Sequence, residues 1–122
     1  MTWDIIFYQK ENGEAPVKIF LDSLPQKHRM KAAKEIDLLQ YYGPLLGMPY
    51  VKKIQGSRYK GICELRIQQG NDISRIFYFI PVGNAFVLLH GFIKKSQKTP
   101  TLELERALQY KEDYLRRRED HV

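Results

Sequence analysis

The sequence predicts an α+β fold in the order β-α-α-β-β-β-α: an antiparallel sheet with a helical hairpin on one face and a C-terminal helix. Three observations predict it. Apolar residues recur at three- and four-residue spacing as far as Leu39 and alternate from Val51 onward, a change from helical to strand period. Two short turn signals, Gly70-Asn71 and Pro81-Val82-Gly83-Asn84, divide the later segment into strands joined closely enough to form a meander. A length of 122 residues, 43% of them hydrophobic, supports one packed core and not two, so residues 1–122 are expected to form a single domain.

Each element has a local cause. Trp3 to Tyr8 is aromatic and β-branched and forms the opening strand, which the polar turn from Gln9 to Gly13 ends. Pro16 suits the first position of a helix, and Val17, Phe20, Leu21 and Leu24 give that helix an apolar side. Ser23 with Gln26 has the form of a capping box for a second helix. Met30, Ala33, Ile36 and Leu39 are its expected buried stripe, and Gly43-Pro44 stops it. Strands are expected over Ile62 to Gln68, Ile73 to Ile80 and Ala85 to Ile93, while Val51 to Lys60 is a loop or a short strand. Thr99-Pro100 opens the last helix, with Glu103 and Glu105 near its start and Arg116, Arg117 and Arg118 near its end, as the helix dipole favours.

Composition narrows the function classes. Mean hydropathy is −0.45, and no apolar run approaches the ~18 residues of a membrane span. Met1-Thr2-Trp3-Asp4 lacks the basic start and apolar middle of a signal peptide, so a cytoplasmic location is expected. The single cysteine, Cys63, excludes an internal disulfide and reads as a small core residue. His28, His90 and His121 are far apart without a carboxylate cluster, so neither metal nor cofactor is expected. Glycine-rich phosphate loops and Ser-His-Asp signatures are absent too.

Charge is unevenly spread. The net charge is +6, yet residues 52 to 98 hold nine cations (Lys52, Lys53, Arg58, Lys60, Arg66, Arg75, Lys94, Lys95, Lys98) against Glu64 and Asp72. That concentration is the footprint of a polyanion-binding face.

The turns also fix a register. If Gly70-Asn71 is the whole loop, Arg66 lies directly opposite Arg75 and both guanidinium groups leave the same face. Like charges so placed repel unless an anion sits between them, and Glu64, one diagonal away, is positioned to serve when nothing is bound. If Gly83-Asn84 forms the second loop, Phe92 lies opposite Arg75, His90 lies opposite Phe77, and Lys94 joins the same face. The other face then collects Cys63, Leu65, Ile67, Ile76, Tyr78, Ile80, Val87, Leu89 and Ile93 as a floor for the hairpin. Phe77, Phe79, Phe86 and Leu88 fall on the basic face, where Leu104, Leu108 and Leu115 of the last helix are expected to cover them.

This constellation can supply RNA cleavage by a ribose 2′-hydroxyl, which needs a base, cations for the charge growing on the phosphate, and an acid for the departing 5′-oxygen. Arg66 and Arg75 suit bidentate phosphate contact. Lys94 or Lys95 can act as the base where neighbouring cations depress its pKa, and His90 titrates near neutrality unaided; the residues alone leave that choice open. Phe92, and Tyr59 between Arg58 and Lys60, offer stacking surfaces for bases, while Lys52, Lys53 and Lys98 add cations for the RNA strand.

The runs Glu64-Leu65-Arg66, Arg75-Ile76-Phe77-Tyr78, Leu88-Leu89-His90-Gly91-Phe92-Ile93-Lys94-Lys95 and Lys98-Thr99-Pro100 together resemble the phage-derived Gp49-like group of HigB-type toxins, in the RelE/ParE superfamily. The resemblance implies a RelE-like toxin domain that cleaves mRNA in the A site of the 70S ribosome without a metal. A helix-turn-helix, HigA-like antitoxin would hold it inactive, with operator DNA reached only through that partner. It also implies that Arg66, Arg75, Lys94 and Lys95 are the phosphate and transition-state contacts. Many relatives place a catalytic tyrosine or histidine near the C-terminus, where this chain opens a helix. Two other readings share the scaffold: a ParE-like poison of DNA gyrase, and a non-catalytic phage or regulatory interaction module.

Overall fold

The chain runs β1 (Asp4–Phe7), α1 (Pro16–Ser23), α2 (Gln26–Tyr42), β2 (Val51–Lys53), β3 (Cys63–Gln69), β4 (Asp72–Phe79), β5 (Ala85–Ile93) and α3 (Thr101–Asp120). The computed structural model describes residues 3–81, 83–95, 98 and 100–120. Met1-Thr2, Val82 of the second turn, Thr99 and His121 lie outside the described residues.

The five strands form one sheet in the order β1-β5-β4-β3-β2. The meander is antiparallel as expected, but β1 pairs with β5 in parallel, so the sheet is mixed. A parallel neighbour needs a long crossover, and the α1–α2 hairpin begins the one that separates these two strands. Val51 to Lys60 resolves into the three-residue edge strand β2 and a 3₁₀ turn at Ser57–Tyr59.

Around Gly70-Asn71 the register holds over the whole hairpin, from Gln69↔Asp72 to Cys63↔Tyr78, with Arg66 opposite Arg75. Gly70 takes φ +62°, a left-handed value that a tight hairpin turn demands. The second hairpin differs. Arg75↔Phe92 and Phe77↔His90 pair as expected, but a bulge shifts the next pairs to Tyr78↔Leu88 and Phe79↔Val87. One extra residue exchanges the faces beyond it. Phe86 and Leu88 therefore join the core beneath the hairpin, whereas Val87 and Leu89 pack with Phe77 and Phe79 on the opposite side. Ile80 and Ile93, expected in the core, sit near the strand ends and are exposed.

Both faces of the sheet are covered. On one, Leu65, Ile67, Ile76, Tyr78, Phe86 and Leu88 pack against Val17 of α1 and Ala32 and Leu39 of α2. Cys63 is half-buried at the margin of this layer. On the other, Phe77, Phe79, Val87, Leu89 and Phe92 meet Leu104, Ala107, Leu108 and Leu115 of α3.

Two expectations for α2 need correction. Its N-cap is Pro25, and the Ser23 hydroxyl donates back to the Phe20 carbonyl at 2.6 Å, so no capping box forms. The buried stripe is His28, Ala32, Glu35 and Leu39, while Met30 and Ala33 face outward. Its two polar members have partners: His28 Nε2 lies 2.7 Å from the Ser74 hydroxyl, and Glu35 accepts from Lys31 at 3.1 Å.

Candidate active site

Pairing across the β3–β4 hairpin brings the two arginines together. Arg75 is only 5% exposed, with Nη1 donating to the Ser74 carbonyl at 2.9 Å. Glu64, equally buried, stands 3.8 Å from the Arg75 Nε, within reach for attraction but beyond hydrogen-bonding distance. Its Oε2, the Arg75 Nε and the Arg66 Nε are all buried without a hydrogen-bond partner. Among the described residues, Arg66 Nη1 meets the sulfur of Met48, at 3.8 Å. The arginines are thus held in place with donor capacity left over.

A hollow of about 520 Å³ opens beside them, lined by Arg66, Gln68, Asn71, Ile73, Arg75, Lys94 and Lys95. The Lys94 amide donates to the Ile73 carbonyl at 2.8 Å, which fixes this residue just past the end of β5. Burial, then the nearby Arg75, Arg66 and Lys52 charges, lower the Lys94 pKa, against an upward pull from Glu64. Burial likewise lowers that of Arg75, with Arg66 adding to the effect and Glu64 opposing it. Four cations on one rim form a well of positive potential.

The remaining sequence-derived residues are dispersed. Lys52 pairs with Glu64 and shares its face, whereas Lys53 pairs with Cys63 on the side of the hairpin. His90 is away from the hollow: it is 8% exposed, stacks on Phe92 and lies 3.3 Å from Glu103 of α3. Burial depresses its pKa, and Glu103 opposes that shift. Phe92 is core, 6% exposed with its ring 5.3 Å from that of Phe77, so it has no free face for a base. Tyr59 is half-buried and donates to Glu105 at 2.5 Å, while Arg58 holds the same carboxylate through Nε at 2.7 Å. These contacts tie the 3₁₀ turn to α3, away from the arginine pair. Lys60 is exposed, and its carbonyl accepts from Lys111 at 2.8 Å. Lys98 is exposed beyond β5.

The family described as "Phage derived protein Gp49-like (DUF891)" matches residues 19–112, a span containing the sheet's β2 to β5 and every cation of the hollow. The chain belongs to the Gp49-like family. A curated relative in Mycobacterium tuberculosis, named "Putative toxin HigB3", is 43% identical over 56 residues, which cover 46% of this chain and 48% of that protein. The chain thus matches about half the length of that relative.

Within this Gp49-like chain, three residues that the sequence does not single out for the site border the arginines. Glu35 of α2, Tyr50 and Gln68 line a second hollow, of about 230 Å³, that shares Arg66 and Arg75 with the first. Glu35 escaped notice because a stripe drawn through apolar residues alone passes it by. Among the described residues no group of His, Cys, Asp and Glu is arranged to hold a metal ion, and no helix is long and apolar enough to cross a membrane.

Proposed function

We propose that this protein is the toxin of a type II toxin–antitoxin pair and cleaves mRNA in the A site of the 70S ribosome. The Arg66–Arg75 juxtaposition, with both Nε atoms buried and unpartnered, carries the proposal. A phosphodiester placed between the guanidinium groups accepts their free hydrogen bonds and relieves their repulsion. In the reaction the ribose 2′-oxygen loses its proton and attacks the adjacent phosphorus, and the P–O5′ bond breaks to leave a 2′,3′-cyclic phosphate. Arg66 and Arg75 stabilise the negative charge that grows on the phosphoryl oxygens.

Lys94 is the general base, because it lines the hollow and its lowered pKa eases loss of its proton. Lys95, on the same rim, protonates the departing 5′-oxygen. Neither group is a strong catalyst alone. A ribosome that holds the 2′-oxygen in line with the phosphate would add several kcal/mol, so free RNA is a poor substrate. The name of the Mycobacterium relative supports the toxin role in this reading. A HigA-like helix-turn-helix antitoxin is its partner, operator DNA is reached through that partner, and the cytoplasm is its place of action.

Induced expression in bacteria, followed by mapping of message ends, tests the proposal. Rapid arrest of translation with cut messages supports it; DNA breaks with filamentation support a gyrase poison instead; neither effect supports an interaction module. Arg66→Ala and Arg75→Ala each lose about 10²- to 10³-fold in cleavage rate, the usual loss for one preorganised donor. Lys94→Arg keeps the charge but not the titration and is inactive; full activity would remove Lys94 from the role of base.

A further inference from the structure

We propose that the hollow between α2 and β3 is a nucleobase pocket in which Glu35 and Lys31 select guanine. The inference rests on the RNA-cleaving reading of the adjoining hollow. Glu35 is 2% exposed in the middle of α2. Its Oε1 accepts from Lys31 at 3.1 Å, and its Oε2 is buried with no partner. A buried carboxylate oxygen without a donor is unfavourable, and a ligand bearing N–H groups corrects it. The hollow that Glu35 lines holds about 230 Å³, below the roughly 300 Å³ at which pockets for whole drug-sized molecules begin, so it suits one ring system.

The walls match a base on two counts. Tyr50 lines the hollow beside Glu35 and offers an aromatic surface for stacking. Arg66 and Arg75 border it and the cation-rimmed hollow alike, so a phosphate on the arginines places its attached nucleoside within reach of Glu35. Hydrogen-bonding capacity then discriminates among bases. Lys31 and Glu35 present a donor beside an acceptor, and guanine presents the acceptor O6 beside two donors, N1–H and N2–H. Uracil flanks its one N–H with two acceptors, while adenine and cytosine offer a single donor group on that edge.

Titration of the purified chain with guanosine, inosine and uridine 3′-monophosphates tests this, since inosine lacks only the exocyclic amine. The wild-type protein should bind the guanosine nucleotide about tenfold tighter than the other two, the ratio expected of one charge-assisted hydrogen bond. Glu35→Gln should reduce that preference to less than about threefold while inorganic phosphate still binds at least as tightly as to the wild type. Equal wild-type affinity for guanosine and inosine nucleotides overturns the inference without reliance on any variant, as does a Glu35→Gln protein that keeps the preference. Message ends separate the two levels of the argument. Guanosine preference without any cut message retains the pocket and refutes the nuclease; cut messages with neither guanine bias at the ends nor guanosine preference refute the pocket alone.

Discussion

Replacing the Glu64–Arg75 pair should show that it serves the ligand and not the fold. At 3.8 Å and an effective dielectric near 20, the attraction between the two charges is about 4 kcal/mol. Both side chains are at least nine-tenths buried, and the desolvation of each costs several kcal/mol, so the pair as a whole comes out near neutral. Removing one partner is different. Arg75→Met leaves the Glu64 carboxylate buried without its cation, and Glu64→Met leaves Arg75 facing Arg66 without its paired anion, so each single change should cost about 3–5 kcal/mol. The double Met variant removes both desolvation penalties and the arginine–arginine repulsion, and should return to within about 1 kcal/mol of wild type. Urea unfolding followed by circular dichroism gives the four free energies of the cycle. The expected coupling, the two single costs less that of the double, is about 5–10 kcal/mol, comparable with the roughly 5–15 kcal/mol that holds such a domain. A coupling below about 1 kcal/mol, or a double variant as unstable as the sum of the singles, would refute the reasoning. Message cleavage by the double variant should be lost although its fold is intact.

Two other predictions test the surroundings of the site. His90 is held below its usual pKa of about 6.5 by burial, so the unfolded chain takes up this proton first. Its contribution to stability is therefore present above about pH 6.5 and is lost as pH falls through and below that value; His90→Gln should flatten the stability profile between about pH 5 and 7 and leave message cleavage unchanged, whereas a steep loss of cleavage would return His90 to the reaction. Gly91 packs under α1, where an added Cβ would lie 2.4 Å from the Phe20 ring. Gly91→Ala should cost about 1–3 kcal/mol in urea unfolding, and Phe20→Leu in the same chain should recover part of it; no change in the unfolding midpoint would disprove the close approach.

How far the sequence carried the fold depends on how local each signal was. The Gly70-Asn71 turn fixes its own register, because a two-residue loop leaves one pairing open, and Arg66 meets Arg75 as that pairing requires. The second hairpin was legible at the Arg75 end and misread at the loop end. Its bulge between the Phe77 and Tyr78 pairs adds one residue to β5 and moves Val87 and Leu89 across the sheet. Nothing in an alternating apolar run marks the residue that will bulge, since Phe86 to Leu89 are all hydrophobic and either assignment buries them. Parallel pairing of β1 was hidden for another reason: it joins strands at opposite ends of the chain, and no local spacing encodes such contacts.

The site was legible where it is made of cations on adjacent strands and illegible where it is made of polar residues inside a helix. A stripe traced through Met30, Ala33 and Ile36 follows hydrophobicity, but α2 buries His28 and Glu35 instead, each with a partner that no periodicity reveals. That departure from binary patterning is informative. Among the described residues, the buried side-chain polar atoms without a partner are Glu35 Oε2, Glu64 Oε2, Arg66 Nε and Arg75 Nε, and all four belong to residues around the arginine pair. Native folds leave few such atoms, and unmet needs scattered by imperfect packing would not gather at one place. Two of these are acceptors and two are donors, so a bare anion would satisfy the arginines and still leave the carboxylate of Glu35 unanswered. A ligand that is anionic at one end and rich in N–H groups at the other meets the demands of both Glu35 and the arginines. Of the common biological polyanions, a nucleic acid has that chemistry, and the arrangement of the four atoms is on this ground a reason to favour RNA over a simple phosphate at the site.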